Sequence, residues 1–265
     1  MRDLATRSAA TIAEAAQLSE DAVLGGRLVL RQPRKGHRVG HDAILLAAAS
    51  AVQPGDCVIE LGAGVGAAGL AVGRRVAEAS VTLVEIDPAL AELARSNAER
   101  NGLAGRVRSV CLDVTAQPAA FAAAGLKAGA ADHVLMNPPF NAAQNPSPDP
   151  ARRRAHVAGD DTLAVWIGAT ARLLRDGGVV TLIWRADGLR AVLAGLAKDF
   201  GAVTVLPVYP KPDAPAIRVL VRAVKGVRSP LTLLPGLVLA AADGKPTAQA
   251  DAVLRDGAVL ALAAD

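Results

Sequence analysis

A chain of 265 residues, 52% apolar and 20% charged, is long enough for one large domain with a modest appendage and too apolar to be disordered. Its 29 basic residues against 25 acids leave a net charge of +4, which permits a nucleic-acid partner without requiring one. The first residues, Met1 to Leu18, include Asp3 and Glu14 and hold no apolar run, so no secretory signal is expected. Ser229 to Ala242, the longest charge-free apolar stretch near the end, is too short for a membrane span and is broken by Pro230, Pro235 and Gly236. Cys57 and Cys111 each sit inside an apolar run and read as buried free thiols, which suits a reducing cytoplasm.

The first informative stretch is basic. From Ala22 to His41 there is no acid, while Arg27, Arg31, Arg34, Lys35 and Arg38 stand around Gly25-Gly26 and Pro33-Arg34-Lys35-Gly36, and the segment reads as a basic loop. Beyond it, short β-branched runs alternate with Ala-rich helical stretches, the pattern of a sheet with helices on both faces. Strands are predicted at Cys57 to Leu61, Val81 to Ile86, Val107 to Cys111, His133 to Met136, Val179 to Ile183, Val203 to Val208 and Ile217 to Val224. The clearest helix begins after Asp87, a capping residue, with Pro88 at its first position and Asn101-Gly102 at its end; Leu90, Leu93, Ala94 and Asn97 share one face. The chain divides into an N-terminal extension (1–20), the basic segment (21–52), the α/β core (53–226) and a C-terminal appendage on the same domain (227–265). Asp243-Gly244-Lys245-Pro246 marks a turn in that appendage.

The first chemical motif is a strand running into glycines: Val58-Ile59-Glu60-Leu61-Gly62-Ala63-Gly64-Val65-Gly66. Gly62, Gly64 and Gly66 allow a tight turn and close approach of a ligand at the carboxyl edge of a parallel sheet. Gly64 to Gly69 also satisfies GxGxxG, so a dinucleotide site is open on this motif alone. Glu85, at the end of the next strand, is placed to accept hydrogen bonds from the ribose hydroxyls of an adenosine-containing cofactor, and Asp113, after the third strand, to accept the adenine amine. Glu60 separates the candidates, since an acid there repels a pyrophosphate and suits a cationic amino group such as that of S-adenosylmethionine.

The second motif, Asn137-Pro138-Pro139-Phe140, follows the fourth predicted strand. It resembles the (D/N)PP(Y/F) signature of class I S-adenosylmethionine methyltransferases that modify a planar nitrogen. Such a nitrogen is a poor nucleophile because its lone pair is delocalised, so a site must accept its two N–H groups and present it to the methyl donor. The Asn137 side-chain oxygen and the Pro138 carbonyl are the expected acceptors, Pro139 stiffens the loop, and Phe140 offers a face to an extruded base. Arg152-Arg153-Arg154 with His156 follow a polar, proline-rich loop; together with Arg27, Arg31, Arg34 and Lys35 they are expected to contact RNA phosphates. His37, His41, His133 and His156 show no metal spacing, so no metal is expected.

Gln32-Pro33-Arg34-Lys35-Gly36-His37-Arg38-Val39-Gly40-His41-Asp42-Ala43-Ile44-Leu45-Leu46, the Glu60 glycine motif, Val84-Glu85-Ile86-Asp87-Pro88 and Asn137-Pro138-Pro139-Phe140 together resemble the bacterial tRNA(Val) adenine-N6 methyltransferase family. The resemblance runs from about Asp21 to the end of the chain. It implies a Rossmann-like class I methyltransferase, a seven-stranded, mostly parallel sheet with helices on both faces. It further implies transfer to the N6 amine of an adenine in tRNA, and Arg38, Gly40 and Asp42 against the cofactor. His41 stands where that family commonly has Thr, and Phe140 where Tyr is more frequent. A glutamine N5-methyltransferase acting on a release factor uses the same acceptors, and a non-catalytic RNA-binding module is the alternative from another class. The intact Asn137 motif argues against the latter, and the short basic segment before the glycines against the former.

Overall fold

A computed structural model describes residues 17–35, 38–139 and 160–263. Phe140, Arg152, Arg153, Arg154, His37 and His156 lie outside the described residues. The chain enters through an antiparallel hairpin, β1 (Leu18–Val23) and β2 (Leu28–Pro33), turned at Gly25 and Gly26 with φ of +62° and +86°. The stretch read as a basic loop is therefore largely a strand pair, and β1 runs across the division drawn between residues 20 and 21. Its signal is short: β2 turns only Leu28, Leu30 and the polar Gln32 inward.

After α1 (His41–Ala49) come β3 (Cys57–Leu61), α2 (Ala67–Arg75), β4 (Ser80–Glu85), α3 (Pro88–Arg100), β5 (Val107–Cys111), α4 (Pro118–Ala123) and β6 (Ala131–Met136). The second half holds α5 (Asp160–Leu173), β7 (Leu174–Arg185), α6 (Leu189–Leu196), β8 (Phe200–Tyr209) and β9 (Arg218–Lys225). All seven predicted strands are present. Two-residue strands β10 (Thr232–Leu233) and β11 (Leu237–Val238) extend the sheet by pairing with β8, and α7 (Ala248–Asp256) completes the appendage.

In space the strands run β8, β9, β7, β6, β3, β4, β5, with β9 antiparallel to both neighbours and the remaining pairs parallel. One core lies under the hairpin, α1, α2, α3 and α7, and includes Leu28, Leu30, Leu45, Leu46, Leu70 and Val253. The other lies under α4, α5 and α6, with Phe121, Trp166, Trp184 and Phe200. Four of the scarce aromatics are thus spent on packing.

Three local readings change. Ile86 falls outside β4 and is 61% exposed. Cys57 is only half-buried and Cys111 is exposed, both as free thiols, because Cys57 opens β3 and Cys111 closes β5, at the strand ends.

The hairpin is joined to the core by two amides. Asn97 and Asn101, one helical turn apart at the end of α3, face the edge of β2. Asn101 Oδ1 accepts Val29 N–H at 3.0 Å and its amide nitrogen donates to Val29 O at 2.9 Å. Asn97 does the same for Arg31, at 2.8 and 3.0 Å. Side chains thereby replace the strand that an edge would otherwise lack, which also covers an open edge. Asn101→Ala removes one such pair and is expected to lower stability by about 1–2 kcal/mol in urea titrations. An unchanged midpoint would show that water substitutes for the amide.

Candidate active site

The strand order turns back between β3 and β6, the place where open α/β sheets bind ligands. Leu61 at the end of β3 lies opposite Val84 of β4 on one side and Met136 of β6 on the other. The glycine turn and Asn137 therefore leave the same sheet edge on neighbouring strands.

Within the turn Gly62, Gly64 and Gly66 adopt φ of +68°, +56° and +88°, which side-chain-bearing residues rarely tolerate. Gly62 has a second reason: a Cβ there would stand 2.4 Å from the Trp166 ring of α5. A Cβ on Gly64 would meet nothing within 4 Å, so its backbone faces open space that a ligand can enter. Glu85 is buried and spans the turn. Its Oε2 accepts Gly64 N–H at 2.7 Å and its Oε1 accepts Asp87 N–H at 2.9 Å, while Asp87 caps α3 through Ala89 and Leu90. Glu85 thus shapes the turn as well as offering its remaining lone pairs to a ligand hydroxyl. Exposed Ile86 stands beside it as an apolar face.

Glu60 is 4% exposed, and its Oε2 accepts Gly69 N–H in the first turn of α2 at 2.7 Å. Burial pushes its carboxyl up to about 8, against the opposing pull of the Gly69 hydrogen bond and with a smaller upward push from Glu85. The acid expected to carry a charge beneath the glycines is therefore held neutral by its surroundings. Asn137 is the most telling group at this edge. Its Oδ1 is buried with no hydrogen-bond partner among the described residues, whereas buried acceptors are normally paired. Pro138 beside it is buried too. Asp113, half-buried, accepts Thr115 N–H at 2.7 Å and so caps its own loop with one oxygen.

The N-terminal motif reaches the same edge. Gly40 precedes α1 with open space around it, and Asp42 in the first turn pairs with Arg218 of β9 at 2.9 Å. Arg38 pairs with Asp21 of β1 at 2.8 Å. Arg218 has no signal in the sequence, because a lone Arg opening a strand carries no motif. Among the predicted phosphate contacts, Arg31 pairs with Glu20 at 3.0 Å and Arg27 donates to the Asp256 carbonyl, whereas Arg34 and Lys35 are exposed. The described residues contain no group of three or more metal-ligating side chains.

This arrangement, strand order included, is the class I methyltransferase fold. The chain belongs to the methyltransferase small domain family, whose model matches residues 39–208. A protein of Aeromonas hydrophila named tRNA1(Val) (adenine(37)-N6)-methyltransferase is 31% identical over 195 residues, 72% of this chain and 78% of the relative. One of the same name from Shewanella amazonensis is 33% identical over 124 residues, 47% of this chain, and the chain spans half of that relative's length. A solved structure from Agrobacterium tumefaciens, titled a predicted O-methyltransferase, superposes with a TM-score of 0.69 at 29% identity, over 83% of this chain and 98% of that one.

Glu60 carries a pH prediction for the protein without cofactor. Its folded value near 8 lies above the ordinary 4.5, so between those two values the folded chain binds more protons than the unfolded one. Stability from this group is full below about pH 4.5 and declines as pH rises towards 8. Glu60→Gln keeps an acceptor for Gly69 and is expected to flatten that decline in urea melts between pH 5 and 9. An unchanged slope would place the effect elsewhere.

Proposed function

We propose that the chain is an S-adenosylmethionine-dependent methyltransferase acting on the exocyclic N6 amine of an adenine in tRNA, in the cytoplasm. The observation that carries this reading is the buried Asn137 Oδ1, with no partner among the described residues, beside Pro138 and one strand from an open glycine turn.

The residues present fit the cofactor. Gly62, Gly64 and Gly66 leave main chain accessible, Glu85 offers lone pairs to ribose hydroxyls, Asp113 has a second oxygen for an amine, and Glu60, neutral while buried and uncompensated, suits a cationic amino group once it ionises beside one. Arg38, Gly40 and Asp42 line the same edge. S-adenosylmethionine supplies an electrophilic methyl group. Asn137 Oδ1 and the Pro138 carbonyl accept the two amine hydrogens and fix the nitrogen's orientation, which is the main catalytic need of a delocalised amine. An oxygen acceptor, the kind named for the Agrobacterium protein, presents one hydrogen and leaves one of these acceptors unused. After transfer the nitrogen is cationic and acidic, and its proton passes to water. Phe140, next but one in the chain, is assigned to stack on the extruded base.

The acceptor class rests on that pair, on the names of the relatives, and on exposed Arg34 and Lys35 beside the N-terminal motif. Arg152, Arg153 and Arg154 are assigned to phosphate contacts from their sequence alone. Arg27 and Arg31 contribute less, since their guanidinium groups already serve Asp256 and Glu20. No helix among the described residues is long and apolar enough to cross a membrane.

Asn137→Ala is expected to cut turnover about a hundredfold or more on undermodified tRNA, with little change in cofactor affinity. The assay follows labelled methyl from the cofactor into tRNA, with release factor as competitor, and maps the modified nitrogen. Full turnover in the variant, or label on the protein alone, would end this reading.

Charge removal at Arg34 and Lys35 tests the approach of RNA. Each phosphate that goes unneutralised in the variant is expected to reduce the slope of log affinity against log salt by about 0.7–0.9, with cofactor binding unaltered. Equal slopes for the double Ala variant and wild type would return both residues to ordinary solvated surface.

A further inference from the structure

Two buried amides lie between the glycine turn and the N-terminal motif, and their hydrogen bonds run to protein groups behind the open edge. Gln32 is 3% exposed on the inward face of β2. Its Oε1 accepts Val39 N–H at 2.8 Å, and its Nε2 donates to Asp21 Oδ2 at 2.8 Å. Asp21 Oδ1 in turn accepts from Arg38 at 2.8 Å. Asn97, fully buried, bonds Arg31 through both backbone groups and also donates to Val65 O at 3.0 Å, inside the glycine turn.

The connections form one path. It runs from Val65 through Asn97 to Arg31, on to the adjacent Gln32, and from Gln32 both to Val39 directly and to Arg38 through Asp21. Residues 38–40 belong to no helix or strand, so nothing in a ladder fixes their height above the sheet. An apolar side chain at position 32 would still pack with Leu28 and Leu30, its neighbours on the same face. What only the amide supplies is a fixed acceptor for one particular N–H in that unladdered segment. The Asp21 carboxyl is held below its usual range by the Ser19 and Gln32 hydrogen bonds first, and by Arg38 after them.

We infer that Gln32 and Asn97 are positioning residues of the cofactor site, setting the separation between the Arg38 to Asp42 motif and the Gly62 to Gly66 turn. The inference rests on the reading of those two segments as the walls of the S-adenosylmethionine site. The two walls come from parts of the chain with no direct sheet pairing; the helices that follow them, α1 and α2, pack on each other, and the hairpin adds a hydrogen-bonded tie between the segments that precede those helices.

The test is calorimetric titration of the full chain with S-adenosylmethionine, with no RNA present, beside urea unfolding and steady-state kinetics. Gln32→Met keeps length and bulk but loses both hydrogen bonds. It is expected to remain folded, to raise the cofactor Kd about tenfold, and to leave kcat at saturating cofactor within about threefold of wild type. Asp21→Ala, on a side chain one-third exposed, is expected to raise Kd about threefold through the loss of its hold on Arg38. Wild-type affinity in either folded variant overturns the inference. So does a fall in kcat as large as the fall in affinity, which would mark the pair as general packing. A wild-type chain that binds cofactor while the variants bind it equally well defeats only this inference. A wild-type chain that binds none defeats the functional reading with it.

Discussion

The pairing of β3 with β6 is the constraint on which the rest of the site depends. The chain builds β3, β4 and β5 outward in one direction and then returns to lay β6 on the other side of β3. Parallel neighbours lie about 4.8 Å apart, so segments leaving their carboxyl ends at matched register are contiguous without any loop having to reach. Leu61 and Met136 are matched in this way. In the proposed function, a methyl donor over the glycine turn and an amine at Asn137 would be brought together by two central strands of the sheet, the kind of support that holds reacting groups in a narrow range of geometry.

The electrostatics of the edge follow from how each acid is solvated. Glu85 and Glu60 belong to adjacent strands and lie near enough to influence one another, yet their surroundings differ. Glu85 gives its two oxygens to Gly64 and Asp87, so its charge stabilises the turn and the entry to α3. Glu60 has a single backbone donor and little water, and burial keeps it protonated to about pH 8. A cation arriving beside it favours the ionised form, so binding of a charged amino group and release of a proton are coupled by linkage. The repulsion of pyrophosphate expected from Glu60 in the sequence is correspondingly weaker while the carboxyl is neutral.

Legibility in the sequence tracks how local each signal is. The seven strands and the capped helix α3 are readable because alternating β-branched runs, Asp87, Pro88 and Asn101-Gly102 act within a few residues of themselves. The positions of Glu60, the glycines, Glu85 and Asn137 are readable for the same reason, each lying at or just past the carboxyl end of a strand. The hairpin is not, since β2 has only two apolar inward residues and its edge is completed by Asn97 and Asn101 some 66 and 72 residues further on. Arg218 is likewise invisible, because its meaning comes from Asp42, 176 residues away. Cys111 shows the opposite error: an apolar run implies burial, but the residue ends β5, the last strand on that side of the sheet.

The basic segment illustrates why net charge says little about where RNA binds. Of its five cations, Arg27 turns to the carbonyl at the end of α7, Arg31 to Glu20, and Arg38 to Asp21. Glu20 also receives Arg100 from α3, so a single acid neutralises charge from two elements and helps hold the hairpin down. Surface pairs of this kind add little stability each, but they consume the fields that a count of Arg and Lys would assign to a phosphate backbone. Arg34 and Lys35 escape because they lie past the end of β2, where the chain leaves the acids of β1 and heads for the cofactor edge. The hairpin thus separates its charges by position: those at its turn and along its strands hold it to α7 and to the acids of β1, and those past the end of β2, Arg34 and Lys35, stand exposed a few residues from Arg38.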